Sequence, residues 1–246
     1  MKKECTVFNF SGIYEKESFY RKDKGSLLCG DLIDCTGISG TNCMCDDAAR
    51  EQIRNIIREN SVSFDGIHFI DSGNYHYMSA IITEEVKELF SLVVLDHHPD
   101  MQPPMFGDIL SCGAWVLDVL NKNEYVRDVH IIGADRNLIA QLDEEDRKRV
   151  KFYDLNQIHM LSTEHPVYLS IDKDVLNREE LITNWDQGDM TADEMYSFVK
   201  KLVGERKIIG VDICGECALD QEGISVDEAI AGNDAFNEKI CEVIWG

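Results

Sequence analysis

Seven short segments of the chain are almost continuously apolar and rich in β-branched residues: 6–10, 66–70, 92–95, 129–133, 150–152, 167–171 and 207–211. Strands buried on both faces of a sheet have this pattern. Between them, apolar positions recur with helical spacing over 46–59, 83–90, 114–121, 191–204 and 226–245. The stretch "DDAAREQIRNIIRE" opens with acids, which suit a helix N-terminus. Thr191 followed by Glu194 fits a capping box, and Gly204 fits a C-terminal stop. The repeated strand–helix–strand order predicts an α/β fold, a three-layer α/β/α arrangement around a mostly parallel sheet. No repeat, linker or low-complexity tract interrupts it, so a single domain over 1–246 is expected. Three of the four prolines, Pro99, Pro103 and Pro104, stiffen the loop after the third apolar run.

Such sheets bind ligands beyond the carboxyl ends of their strands. Polar clusters follow four of the apolar runs. "DSGNYHYMS" contains His76, "DHHPD" spans Asp96 to Asp100, "DKD" spans Asp172 to Asp174, and "DICGE" ends at Glu216. In extended chain, alternate side chains share a face. Asp96, His98 and Asp100 are therefore expected together, with His97 on the other side. Asp172 and Asp174 likewise pair, and Lys173 points away. Carboxylates and imidazoles converging on one crevice are costly to bury unless they pair or coordinate metal. An oxygen-rich set with two imidazoles suits Mn²⁺, and also Fe²⁺, Co²⁺ or Zn²⁺.

Charge narrows the partners. The net charge is −22, with 46 acids against 24 bases. A nucleic-acid binder needs a basic surface, so nucleic acid is excluded, and anionic membranes are disfavoured. No stretch approaches the ~18 apolar residues of a membrane span, and the N-terminal apolar run is too short for a secretion signal. A cytoplasmic protein with reduced thiols is expected, despite nine cysteines. Cys43 and Cys45, with Cys214 and Cys217, raise a zinc or redox reading. The first pair lacks the usual spacing, and ordinary thiols are expected.

The order His76, Asp96-x-His98-x-Asp100, Ser170-x-Asp172-x-Asp174 resembles the ureohydrolases, namely arginase, agmatinase and formimidoglutamase, whose fold is shared with histone-deacetylase-like amidohydrolases. The resemblance spans about Gly66 to Glu216. It implies two divalent metal ions, with manganese expected. His76 and Asp100 would ligate the first metal, His98 and Asp174 the second, and Asp96 and Asp172 would bridge. It further implies that a metal-bridging hydroxide attacks the carbon of a guanidino or formimino compound, a linear amidine. Asp100 would orient that hydroxide and relay its proton, and Glu216 would hold the cationic substrate. Members of the family commonly form homo-oligomers.

The chain departs from the family pattern. Glu216 follows Asp212 by four positions where three are usual, and an expected Asp-Pro after Asp174 is missing. Cys112, in "ILSCGAW", stands where the family carries a proton-shuttling histidine. Cys112 is thus a catalytic candidate, beside the reading of inert packing. Trp185, in "NWDQGDMT", and Gln102, in "MQPPMFGDIL", are candidate substrate contacts, as are Tyr75 and Tyr77, although packing explains Trp185 and the tyrosines better. That loop offers only Gln102 and Asp108 as polar groups, which disfavours arginine itself. Three alternatives remain at this level. One keeps the fold but hydrolyses an amide. Another binds metal or ligand without turnover. The third is a DHH-type phosphoesterase using His97.

Overall fold

In a computed structural model, residues 1–21, 30–104 and 107–246 are described; Met105 and Phe106 of the proline-rich loop lie outside them. The strands are β1 (Cys5–Asn9), β2 (Gly30–Asp34), β3 (Met44–Cys45), β4 (Ile67–Phe69), β5 (Phe90–Leu95), β6 (Leu110–Ser111), β7 (Val126–Ile132), β8 (Lys151–Tyr153), β9 (Val167–Asp172) and β10 (Ile208–Cys214). The α-helices are α1 (Asp47–Glu59), α2 (Met78–Thr83), α3 (Trp115–Lys122), α4 (Arg136–Ala140), α5 (Glu144–Arg147), α6 (Ala192–Glu205) and α7 (Val226–Trp245).

Eight strands form one sheet in the order β2-β1-β4-β10-β9-β5-β7-β8, every neighbouring pair parallel. Alternation along each strand feeds two apolar layers. Val93 and Leu95 of β5 pack with α6 and α7, on the side that includes Val199 and Ile240. Leu92 and Val94 pack on the other side with Ile53 of α1, Ile81 of α2 and Val116 of α3. This is the expected three-layer α/β/α arrangement. Thr191 and Glu194 form the expected capping box at the start of α6.

All seven expected strands are present, within a few residues of their expected ends. The helix expected over 83–90 is not. The helix in that region is α2, over Met78–Thr83, and β5 begins at Phe90. All six α2 residues are buried, so no polar stripe marks it, whereas the mixed stretch after Thr83 mimics an amphipathic helix. Strand β2 also escaped the pattern. It lies at the sheet edge with only Ile33 buried, so it lacks the continuous apolar run of the central strands.

The four strands at the sheet centre, β4, β10, β9 and β5, are those that precede the polar clusters. Because they run parallel, their carboxyl ends open on one edge of the sheet. Residues as far apart in sequence as His76 and Asp174, 98 positions, are thereby delivered to one crevice.

Candidate metal centre

His76 follows a single 3-10 turn after β4, over Gly73–Tyr75. Its Nε2 lies 2.9 Å from Ser170 Oγ on β9, which fixes the ring. Its Nδ1 then faces three carboxylates: Asp100 Oδ2 at 3.1 Å, Asp96 Oδ2 at 3.2 Å and Asp172 Oδ2 at 3.4 Å. A second cluster lies beside it. His98 Nδ1 is 2.8 Å from Asp174 Oδ2 and 3.6 Å from Asp96 Oδ1. Asp96 therefore turns one oxygen to each cluster. His76, Asp96 and Asp100 form one group of three mutually close donor atoms; Asp96, His98 and Asp174 form another.

Asp172 joins the first cluster through Oδ2, which also accepts the Cys214 thiol at 3.1 Å. Its Oδ1 accepts the Asp174 amide at 3.0 Å. Gly215 stands at φ +98°, and a Cβ there would come 2.6 Å from Asp172 Oδ1, so only glycine leaves this carboxylate its place. Asp100 also adopts the left-handed region, at φ +49°. Its carbonyl accepts from the Val116 amide and its Oδ2 from Trp115 Nε1 at 2.7 Å. Two bonds from the start of α3 thus hold an uncommon backbone conformation in place.

His97 turns away from both clusters. Its Nδ1 is buried with no hydrogen-bond partner, and its Nε2 is 3.7 Å from Asp186. Only its backbone N–H serves the site, donating to Asp174 Oδ1 at 3.1 Å.

The charges suit cations. Four carboxylates, of Asp96, Asp100, Asp172 and Asp174, are all buried around two imidazoles. Burial opposes charging of His98, but Asp174 and Asp96 outweigh it and push its pKa up to about 12. His76 is likewise raised, against burial, by Asp100 and Asp96. Burial and then Asp96 push the Asp100 carboxyl up to about 6, and burial and then Asp172 raise that of Asp174. Without metal, the imidazoliums serve as the counter-cations. Even so, His76 Nδ1 and Asp96 Oδ2 are buried and lack a hydrogen-bond partner while facing each other. Orphaned donor atoms converging from hard oxygen and imidazole ligands fit a pair of divalent ions.

Metal and protons would then compete for the same lone pairs. A raised histidine pKa means a proton bound at neutral pH, which metal must displace. Manganese affinity should therefore rise from pH 6 to pH 8, with protons released on binding. Calorimetric titrations at the two pH values, in buffers of different ionisation enthalpy, check this; equal affinities without proton release would contradict it.

A cavity of about 260 Å³ opens above the clusters. Gln102, Cys112 and Trp185 line it together with Asp96, His98, Asp100, Asp172 and Asp174. Met44, Pro99, Pro103, Ile109 and Leu138 make most of the wall apolar. The Trp185 ring sits 5.8 Å from the His98 ring, and its Nε1 donates to Asn74. Tyr75 and Tyr77 are buried packing residues outside the cavity wall.

Glu216 is placed elsewhere. It is fully buried, and Lys173 Nζ meets its Oε1 at 2.5 Å. Lys173 also donates to Asn233 and Asn237 of α7. Lys173 thus points away from the clusters and takes Glu216 with it, and Glu216 does not line the cavity.

Two side chains carry no signal in the sequence pattern. Trp115 braces Asp100 and packs its ring 4.7 Å from His76. Asp186 sits 3.2 Å from His98 Nε2. Neither stands at the carboxyl end of a strand. Cys43, expected as an ordinary thiol, lines the cavity with Cys112. Trp115→Phe removes the indole donor to Asp100 and should weaken manganese binding about 10–100-fold, as loss of an outer partner of a metal ligand commonly does. A metal titration of the folded variant checks this, and unchanged affinity would remove Trp115 from the site's support.

Solved structures sharing this architecture include a formimidoylglutamase from Bacillus subtilis, with a TM-score of 0.66, 14% identity, and coverage of 99% of this chain and 87% of that one. An agmatine ureohydrolase from Thermoplasma volcanium matches with a TM-score of 0.65, 14% identity and coverage of 98% and 88%. An arginase from Bacillus subtilis matches with a TM-score of 0.65, 15% identity and coverage of 100% and 99%. The chain has the ureohydrolase fold. No family model matches the sequence. A protein of Thermotoga maritima, described as uncharacterized, is 30% identical over 213 residues, covering 85% of this chain and 78% of that protein. The chain belongs to one family with that Thermotoga protein.

Proposed function

We propose that the protein is a dinuclear-metal-dependent hydrolase of C–N bonds in linear amidines. The observation that carries this reading is Asp96 between two ligand groups, one with His76 and Asp100, the other with His98 and Asp174, at the floor of a cavity. His76, Asp96, Asp100, Asp172, His98 and Asp174 would hold two divalent ions, with manganese favoured by the donor set. Such a pair supplies Lewis acidity and lowers the pKa of water towards neutrality.

The chain's own residues would do the rest. The apolar wall with Trp185 would limit the water around the substrate. Asp100, oriented by Trp115, is placed to hold and pass a proton. Cys112 faces the same space. Its thiol pKa is raised, first by its contact with Cys43 and then by burial, which makes it a weak acid, so Cys112 would line the substrate space rather than protonate a departing nitrogen.

The cavity also limits the substrate's far end. No lysine or arginine lines it among the described residues, so no cation meets a substrate carboxylate. Guanidino or formimino compounds with a neutral or cationic tail fit better than amino-acid substrates. The same absence disfavours a phosphoesterase, as does the outward turn of His97.

Urea and ammonia release from a panel of guanidino and formimino compounds, with manganese added, tests the reading. Turnover of a carboxylate-free member is expected. No release from any member, with manganese bound, would favour a non-catalytic binder. Hydrolysis of simple amides alone would move the activity to another C–N bond.

A further inference from the structure

Cys43 and Cys112 differ from the other described cysteines. Both are half-buried, whereas Cys5, Cys35, Cys45, Cys214, Cys217 and Cys241 are buried. They meet at the end of the β3–β6 ladder. That ladder pairs Cys45 with Leu110 and Met44 with Ser111 antiparallel, so the next pair in register is Cys43 with Cys112. The Cys112 amide donates to the Cys43 carbonyl at 2.9 Å, which shows that the pairing continues. Both residues line the cavity.

We infer that Cys43 and Cys112 form a dithiol modification site in the cavity wall, which takes low-molecular-weight disulfides and closes to an intramolecular disulfide. Opposed residues of an antiparallel ladder lie about 4.5–5.5 Å apart at Cα. A disulfide spans about 4.4–6.8 Å, so the backbone need not move far. Cys43 has the left-handed φ of +59°, uncommon for a residue with a side chain.

The two thiols have different roles. The neighbouring Cys112 thiol lowers the Cys43 pKa to about 7, while Cys43 and burial raise that of Cys112. Cys43 is therefore the attacking thiolate. It forms an S–S bond to one sulfur of the reagent and expels the other as a thiolate. Cys112 then attacks the Cys43 sulfur, its proton passes to solvent, and the second reagent thiolate leaves. Two protein thiols and one small disulfide become one protein disulfide and two small thiols, so the reagent is the oxidant and the balance closes. The site depends on neither metal nor turnover.

The test incubates the full chain with oxidised glutathione at pH 8, blocks free thiols, and maps the peptides. In the wild type, two free thiols should be lost and a Cys43–Cys112 linked peptide should form. In Cys112→Ser, the reaction should stop with glutathione on Cys43. Absence of both the link and any Cys43 adduct in the wild type would overturn the inference. Stable glutathione adducts on both cysteines, or Cys43 left free in Cys112→Ser, would also overturn it.

Discussion

Replacing Asp96 with alanine is expected to remove the protein's capacity for two divalent ions and to lower any amidine hydrolysis by about 10³-fold or more, equivalent to roughly 4 kcal/mol of transition-state stabilisation. The reason is geometric. Asp96 is the residue that faces both clusters, 3.2 Å from His76 through Oδ2 and 3.6 Å from His98 through Oδ1. A loss at Asp174 leaves the His76 cluster whole, and a loss at Asp100 leaves the His98 cluster whole; a loss at Asp96 opens both. Elemental analysis and a manganese titration of the folded variant check this. A variant that still held two ions would show that Asp96 is not shared.

The largest effect on stability should come from a residue outside the cavity. Lys173→Met is expected to cost about 3–5 kcal/mol, as breaking one side of a buried ion pair does. Lys173 is fully buried and faces Glu216, Asn233 and Asn237. Asn237 Nδ2 also bridges Glu216 and Glu17, and burial followed by Glu216 raises the Glu17 pKa. Without the ammonium, two buried carboxylates share one amide. Urea denaturation measures the change. Adding Glu216→Gln should recover part of the loss, because it removes the uncompensated charge; a loss below about 1 kcal/mol in the single variant would mean that the pair contributes little beyond its packing.

That ion pair also marks how far the site could be read from the sequence. Polar clusters after apolar runs pointed to the correct sheet edge, because parallel central strands leave no other place for their loops. Alternation anticipated the outward turn of His97 and the opposed directions of Lys173 and Asp174. It is not, however, what delivers Asp100: that backbone is left-handed, and the Val116 and Trp115 bonds hold it. The family resemblance implies Glu216 on the substrate, as the glutamate that follows the last strand, β10. Its commitment to Lys173 depends on side chains 43 positions apart meeting beneath the crevice, which no local pattern encodes. The sequence spacing groups Cys43 with Cys45, Cys214 and Cys217, while its partner across the β3–β6 ladder is Cys112. The helix misplaced over 83–90 fails for the same reason: α2 is buried on every side, and periodicity is informative only where one face meets water.

The most direct measurement of the central claim is the metal content of the purified chain after equilibration with manganese and removal of free ions. Two ions per chain are expected for the wild type, and one for Asp174→Ala, which keeps His76, Asp96 and Asp100 together. A wild type that holds no ion, or an Asp174→Ala variant that still holds two, would contradict the dinuclear centre.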